Sequence, residues 1–83
     1  MKKVYSRKDF EKTFKEYMMK DECFIVFKDY GEYYFCKLDD NFEKYCTFHY
    51  WVTPKTREVK SSYGAGSCWS KSKYSVDDLL EVL

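Results

Sequence analysis

Cys23-Phe24-Ile25-Val26-Phe27-Lys28-Asp29-Tyr30-Gly31-Glu32-Tyr33-Tyr34-Phe35-Cys36-Lys37-Leu38 is a pair of aromatic, β-branched runs set around one glycine. Residues of this kind fit a pleated, half-buried surface, so 23–28 and 32–38 read as two strands of a hairpin. The turn is Asp29-Tyr30-Gly31, where Gly31 supplies the positive φ that a tight connection demands. The β-forming character continues beyond it. A third strand is expected over 44–52, after the polar loop Asp39-Asp40-Asn41. Thr53-Pro54-Lys55-Thr56 then turns the chain into a fourth strand over 57–62. Tyr63-Gly64-Ala65-Gly66-Ser67 reads as a flexible connection, and 68–73 has room for a short edge strand.

Two segments flanking this β-region share one helix-start device. In Tyr5-Ser6-Arg7-Lys8-Asp9-Phe10 and Tyr74-Ser75-Val76-Asp77-Asp78-Leu79, the serine can cap the amide three residues on, and a carboxylate there suits the positive helix end. The ring before each serine is placed to staple onto the fourth helical residue. Helices are therefore expected to begin at Arg7 and Val76. Phe10, Phe14, Tyr17 and Met18 form one stripe of the first helix, while Lys8, Lys12 and Lys15 point the other way. Val76, Leu79, Leu80 and Leu83 form the stripe of the second.

The element order α-β-β-β-β-α with short connections predicts one α+β domain over residues 1–83, an antiparallel meander sheet with both helices on one face. Alternation along the strands separates two sets of side chains. Cys23, Ile25, Phe27, Tyr34, Cys36, Leu38, Cys46, Phe48, Tyr50 and Val52 carry no charge and are expected beneath the helices. Phe24, Val26, Lys28, Tyr33, Phe35, Lys37, Tyr45, Thr47, His49 and Trp51 mix rings with polar groups and are expected on the opposite face. That face either stays open or is covered by the 63–73 segment.

Rings dominate the composition: nine Tyr, seven Phe and two Trp among 83 residues. Each can bury roughly 150–250 Å², which lets a short chain near the lower limit of self-sufficient folding build a core from few residues. The formal net charge is +1, which speaks against a global nucleic-acid mimic and against a strongly basic coat. The charge is laid out in blocks. Residues 1–20 carry a net +4, 21–43 a net −5, 44–75 a net +5 and 76–83 a net −3. No apolar run of signal-peptide or membrane-spanning length is present, so a cytoplasmic location with reduced Cys23, Cys36, Cys46 and Cys68 is expected.

No pattern assigns a catalytic residue, cofactor or metal. The cysteines lie 13, 10 and 22 residues apart with no C-x-x-C knuckle, and Cys46 and His49, three apart on a strand, point to opposite faces. Gly66-Ser67-Cys68-Trp69 resembles the segment around the nucleophile of papain-type cysteine proteases, with Ala65 where that family has a further Cys. That resemblance implies a thiol nucleophile at Cys68. The family's His and Asn lie far downstream, however, whereas the sole His49 and sole Asn41 here lie upstream. Gly64-Ala65-Gly66 lacks the longer glycine pattern and the lysine of a nucleotide loop. From Gly64 through Lys73 into an apolar helix, the chain is similar to the last third of a double-stranded-RNA-binding domain. The resemblance implies phosphate contacts at Lys71 and Lys73, extended by Lys8, Lys12 and Lys15. It lacks that family's alanine-rich second helix.

The expected function is therefore binding rather than catalysis, through Phe24, Lys28, Tyr33, Phe35, Lys37, Tyr45, His49 and Trp51 on the aromatic sheet face. A protein partner is the first expectation, since nucleic-acid binders carry a stronger basic bias. RNA or single-stranded nucleic acid, stacked on the rings and tracked by lysines, is the alternative. Self-association through the face, giving a homodimer, is a third outlet. A free-standing Lys- and Tyr-rich chain of this size suits an inhibitor or regulator of the phage or mobile-element type.

Overall fold

The computed structural model describes residues 1–42, 45–63 and 68–83. The elements in chain order are β1 (Lys2–Val4), α1 (Arg7–Met19), β2 (Phe24–Asp29), β3 (Glu32–Cys36), β4 (Phe48–Thr53), β5 (Glu58–Tyr63), β6 (Ser70–Lys71) and α2 (Val76–Val82). They form a six-stranded sheet of order β1-β3-β2-β4-β5-β6, antiparallel at every pairing. This is the meander-like α+β fold read from the sequence, with both helices on one face. Among the described residues, no helix is long and apolar enough to cross a membrane.

Both helices begin where their caps place them. The Ser6 hydroxyl accepts from the Asp9 amide at 3.1 Å, and Ser75 and Asp78 exchange reciprocal bonds at 3.0 and 3.2 Å. The two staples differ. Tyr74 packs against the core cluster that contains Leu79, whereas Tyr5 stays exposed and its ring lies 5.5 Å from Lys3 Nζ.

Two connections cross the sheet, one on each face. β1 and β2 both flank β3, so they run parallel to each other, and parallel strands need a crossover rather than a tight turn. α1 supplies it. β3 and β4 likewise flank β2, and the connection between them, described over 37–42 and 45–47, lies on the other side. The helical face buries Phe10, Phe14, Val76, Leu79 and Leu83 against Phe24, Val26, Tyr33, Phe35, Tyr50, Val52 and Val59. The opposite face buries Ile25, Phe27, Tyr34 and Cys36 beneath Phe42 of the crossing segment, with Tyr45, Trp51 and Trp69 packed around them.

This corrects the facing of the hairpin by one residue. The register pairs Ile25 with Trp51 and Phe27 with His49, while Phe24 lies opposite Val52 and Val26 opposite Tyr50. Phe24, Val26, Tyr33 and Phe35 therefore lie under the helices, and Ile25, Phe27, Tyr34 and Cys36 lie on the far face. On β4 the expected facing holds. β2 and β3 are buried on both sides and apolar almost throughout, so alternation says little about which side is which. Lys28 and Lys37, which suggested a solvated face, are exposed at strand ends, where a long side chain reaches water from either side.

Strand β1 was not evident in Lys2-Lys3-Val4. It is held by Val4 in the core, a 2.6 Å ion pair from Lys3 to Glu32 and a 3.1 Å contact from the terminal amine to Asp40. Lysines suit an unpaired sheet edge because they discourage further strand addition. The expected start of the third strand at Lys44 and the connection over 64–67 lie outside the described residues.

Candidate functional site

The eight residues expected to form one binding face are divided between two sides of the sheet. Phe24, Tyr33 and Phe35 are buried under α1, where Phe10 stacks on Tyr33 at 4.3 Å and Tyr17 on Phe35 at 4.9 Å. Lys28 lies 5.3 Å from the Tyr33 ring at the hairpin end. The Lys37 amide donates to Asp40 Oδ2 at 2.9 Å at the far end of β3. Tyr45, His49 and Trp51 belong to the opposite face.

That opposite face is a second aromatic layer rather than an open platform. Phe27 stacks on Tyr34 at 4.8 Å, and Trp51 meets Trp69 edge-on at 5.4 Å. Phe42 and Trp69 close over it, the latter from the segment given the option of covering this side. Lys60 Nζ lies 5.8 Å from the Trp51 ring at the layer's margin. His49 is completely buried, 4.4 Å from Phe27 and 4.9 Å from Phe42. Neither of its ring nitrogens has a hydrogen-bond partner. Burial holds its pKa below the usual imidazole value, with Asp29 opposing weakly.

The chemistry of the cysteines follows from their surroundings. Cys36 is buried beside this layer, and desolvation first, then Asp40, pushes its thiol up to about 12. It is an inert packing group at neutral pH. Cys23 Sγ donates to Thr53 Oγ1 at 3.5 Å, and Cys46 and Cys68 are exposed. Among the described residues, no three His, Cys, Asp or Glu side chains gather into a metal-ligating group. His49, shut inside the second layer, makes no hydrogen bond to Cys68. The Gly64-Ala65-Gly66 loop and the Gly66-Ser67 half of the protease-like segment lie outside the described residues.

The exposed rings show where a partner can be met. Four of the aromatic side chains remain exposed: Tyr5 at 71%, Tyr30 at 94%, Phe48 at 54% and Tyr63 at 63%. All four sit at the same end of the sheet. Val4 pairs with Tyr33, which places Tyr5 beside the β2–β3 turn. Tyr30 is the tip of that turn. Phe27 pairs with His49 and Phe48 with Tyr63, which brings the start of β4 and the end of β5 to the same level. The Phe48 and Tyr63 rings touch edge-to-face at 5.1 Å.

Tyr30 is costly to its own turn. Asp29 pairs directly with Glu32, so the loop has two residues, with φ of 50° at Tyr30 and 79° at Gly31. Positive φ at both positions marks a type I′ turn, which favours Asn-Gly, and a bulky residue in the left-handed region pays about 1 kcal/mol. Tyr30→Asn is therefore expected to raise stability by roughly 0.5–1 kcal/mol, seen as a higher urea midpoint. An unchanged or lower midpoint would mean that the Tyr30 ring contributes to the folded monomer.

Beside Phe48, on the helical side of the sheet, lies a cleft of about 360 Å³ lined by Phe48, Tyr50, Ser61 and residues 71–74. Tyr50 and Tyr74 meet edge-on at 6.0 Å, and Lys73 Nζ lies 5.2 Å from the Tyr74 ring. Burial first, then Tyr74, raises the Tyr50 hydroxyl's pKa, so it keeps its proton. The rim is fixed by the backbone. The Ser72 amide donates to the Val59 carbonyl at 3.0 Å, and the Tyr74 amide donates to Ser72 Oγ at 3.0 Å.

Sequence reasoning placed Phe48 in the core, gave Tyr5 the part of a helix staple and left Tyr30 and Tyr63 without a role. One signal was available for Tyr30: a ring at the tip of a two-residue turn has no neighbour to pack against. The other three are exposed because they stand at strand ends, which only the pairing register reveals. The fold and this end define a small α+β domain with aromatic clusters on both sheet faces and a third group of rings left in solvent. No protein-family model matches the sequence, and no curated protein or solved structure matches it either.

Proposed function

We propose that this chain is a non-enzymatic binding module that engages another protein through the ring-bearing end of its sheet. One observation carries the reading: of the chain's eighteen aromatic side chains, every exposed one lies at that end, contributed by four separate segments. Tyrosine and other aromatic anchors that are exposed in the free protein and buried on association typically dominate binding energy. Tyr30 fits this role, since it is a poor local choice for its turn. A module of this kind suits an inhibitor or regulator that occupies a partner's surface, of the type phages and mobile elements encode.

Single-stranded nucleic acid is the second reading, favoured by the adjacent Phe48 and Tyr63 rings with Lys73 nearby, which suit stacked bases and a phosphate chain. Asp29 and Glu32 flank Tyr30 and repel phosphates, which weighs toward protein. The test is retention of partners from nuclease-treated lysate by the native chain and by Phe48→Ser/Tyr63→Ser. Loss of two anchors is expected to weaken retention at least tenfold with the circular dichroism spectrum unchanged. Equal retention by both forms would exclude this end as the contact surface. Retention that needs nucleic acid and collapses steeply with salt would move the reading to the second class.

A further inference from the structure

We infer that the cleft beside Phe48 receives a peptide segment of the partner that sets a carboxylate next to an apolar side chain. This rests on the reading of the ring-bearing end as a contact surface, which the cleft adjoins at Phe48. The cleft's walls are Phe48, Tyr50 and Tyr74, which ask for an apolar group. Its polar groups are the hydroxyls of Ser61 and Ser72 and the ammonium of Lys73, and none of the described residues that line it is acidic. An occupant must therefore present an acceptor, and an anionic one gains most from ammonium donors.

Among the described residues, no ion pair neutralises the charge there. Ion pairs among the described residues join the terminal amine to Asp40, Lys3 to Glu32 and Arg57 to Asp77, and none includes Lys71 or Lys73. Of the acidic groups nearest in sequence to the rim, Asp77 pairs with Arg57 and Asp78 is committed to the capping box with Ser75.

Size narrows the class. At about 360 Å³ the cleft is close to the roughly 300 Å³ lower bound of ordinary ligand sites, enough for one or two side chains rather than a run of nucleotides. The hydrogen bonds that fix residues 72–74 mean that little ordering is required on binding. A glutamate or aspartate side chain and a free chain-terminal carboxylate offer the same chemistry.

The test is an NMR titration of the full chain with three peptides and a dT hexamer. The peptides are an acetylated, amidated pentapeptide with Glu beside Phe, its Gln counterpart, and a tetrapeptide ending in Phe with a free carboxylate. Shifts centred on Ser61, Ser72, Lys73 and Tyr74 are expected from the Glu peptide or the free-carboxylate peptide, identifying the source. Binding should weaken on the order of tenfold with the Gln peptide and with Lys73→Glu. Equal shifts from the Glu and Gln peptides, shifts from the hexamer alone, or none at these residues would overturn the inference. Such a result beside partner retention that still depends on Phe48 and Tyr63 would remove the cleft and leave the ring-bearing end. Retention indifferent to those two rings would remove the end itself.

Discussion

Phe35→Ala is expected to leave the protein largely unfolded or close to it. Phe35 is completely buried in β3, between β1 and β2, with Phe10 at 5.8 Å, Tyr17 at 4.9 Å, Phe24 at 6.1 Å and Phe14 at 6.3 Å from its ring. Removing a ring from such a site costs about 3–5 kcal/mol through lost burial and the cavity left behind. The neighbours cannot refill the space without giving up their own ring contacts, each worth about 0.5–1.5 kcal/mol beyond area. A chain of this size is stable by about 4–12 kcal/mol in total, so one substitution consumes a large share. The measurement is urea unfolding followed by circular dichroism. With a urea slope of about 1–2 kcal/mol per molar for a small domain, the midpoint should fall by roughly 2 M or more. A midpoint within about 0.5 M of the native one would place Phe35 on a solvated surface. That is the facing which alternation alone suggests.

The contrast between those two facings shows what the sequence could convey. Helix starts were legible because Ser6 and Ser75 act within four residues of themselves. The α1 stripe was legible because Lys8, Lys12 and Lys15 mark its solvent side. The β2–β3 hairpin followed from Gly31. The facing of β2 and β3 did not follow, because polarity on a strand reports its side only when one side meets water. Here α1 covers one face, and Phe42 and Tyr45 of the β3–β4 connection cover the other. Both crossovers depend on β3 lying between β1 and β2 and on β4 pairing with β2, long-range choices that leave no local trace. The site was obscured for the same reason. Phe48 and Tyr63 are exposed through their level in the sheet, a property of the pairing register, whereas Tyr30 was exposed by turn geometry and could be read directly.

His49 makes the second face sensitive to acid, and the loss is expected to set in as the pH falls through the ordinary imidazole value of about 6.5. The imidazole is completely buried between Phe27 and Phe42, both ring nitrogens lack partners, and burial depresses its pKa in the folded state. The unfolded chain takes up the proton first, near an ordinary pKa of about 6.5. Stability from the neutral ring is therefore fully present above that value and falls as the pH drops toward the folded-state pKa. One proton changes stability by at most about 1.4 kcal/mol per pH unit in that interval. Asp40 works in a separate window. The Lys37 amide first, then the terminal amine, lowers its pKa, so its contribution is lost only as acid approaches and passes below the ordinary carboxylate range. His49 is the sole histidine, which makes substitution decisive. His49→Leu removes the titration and the two unpaired nitrogens, whose burial costs about 1–3 kcal/mol each when unsatisfied, against the loss of ring contacts with Phe27 and Phe42. Urea midpoints at pH 7.0 and 5.5 should diverge for the native chain and coincide for His49→Leu. The same acid-induced drop in both proteins would show that His49 titrates alike in the folded and unfolded chain and is not held as a buried neutral ring.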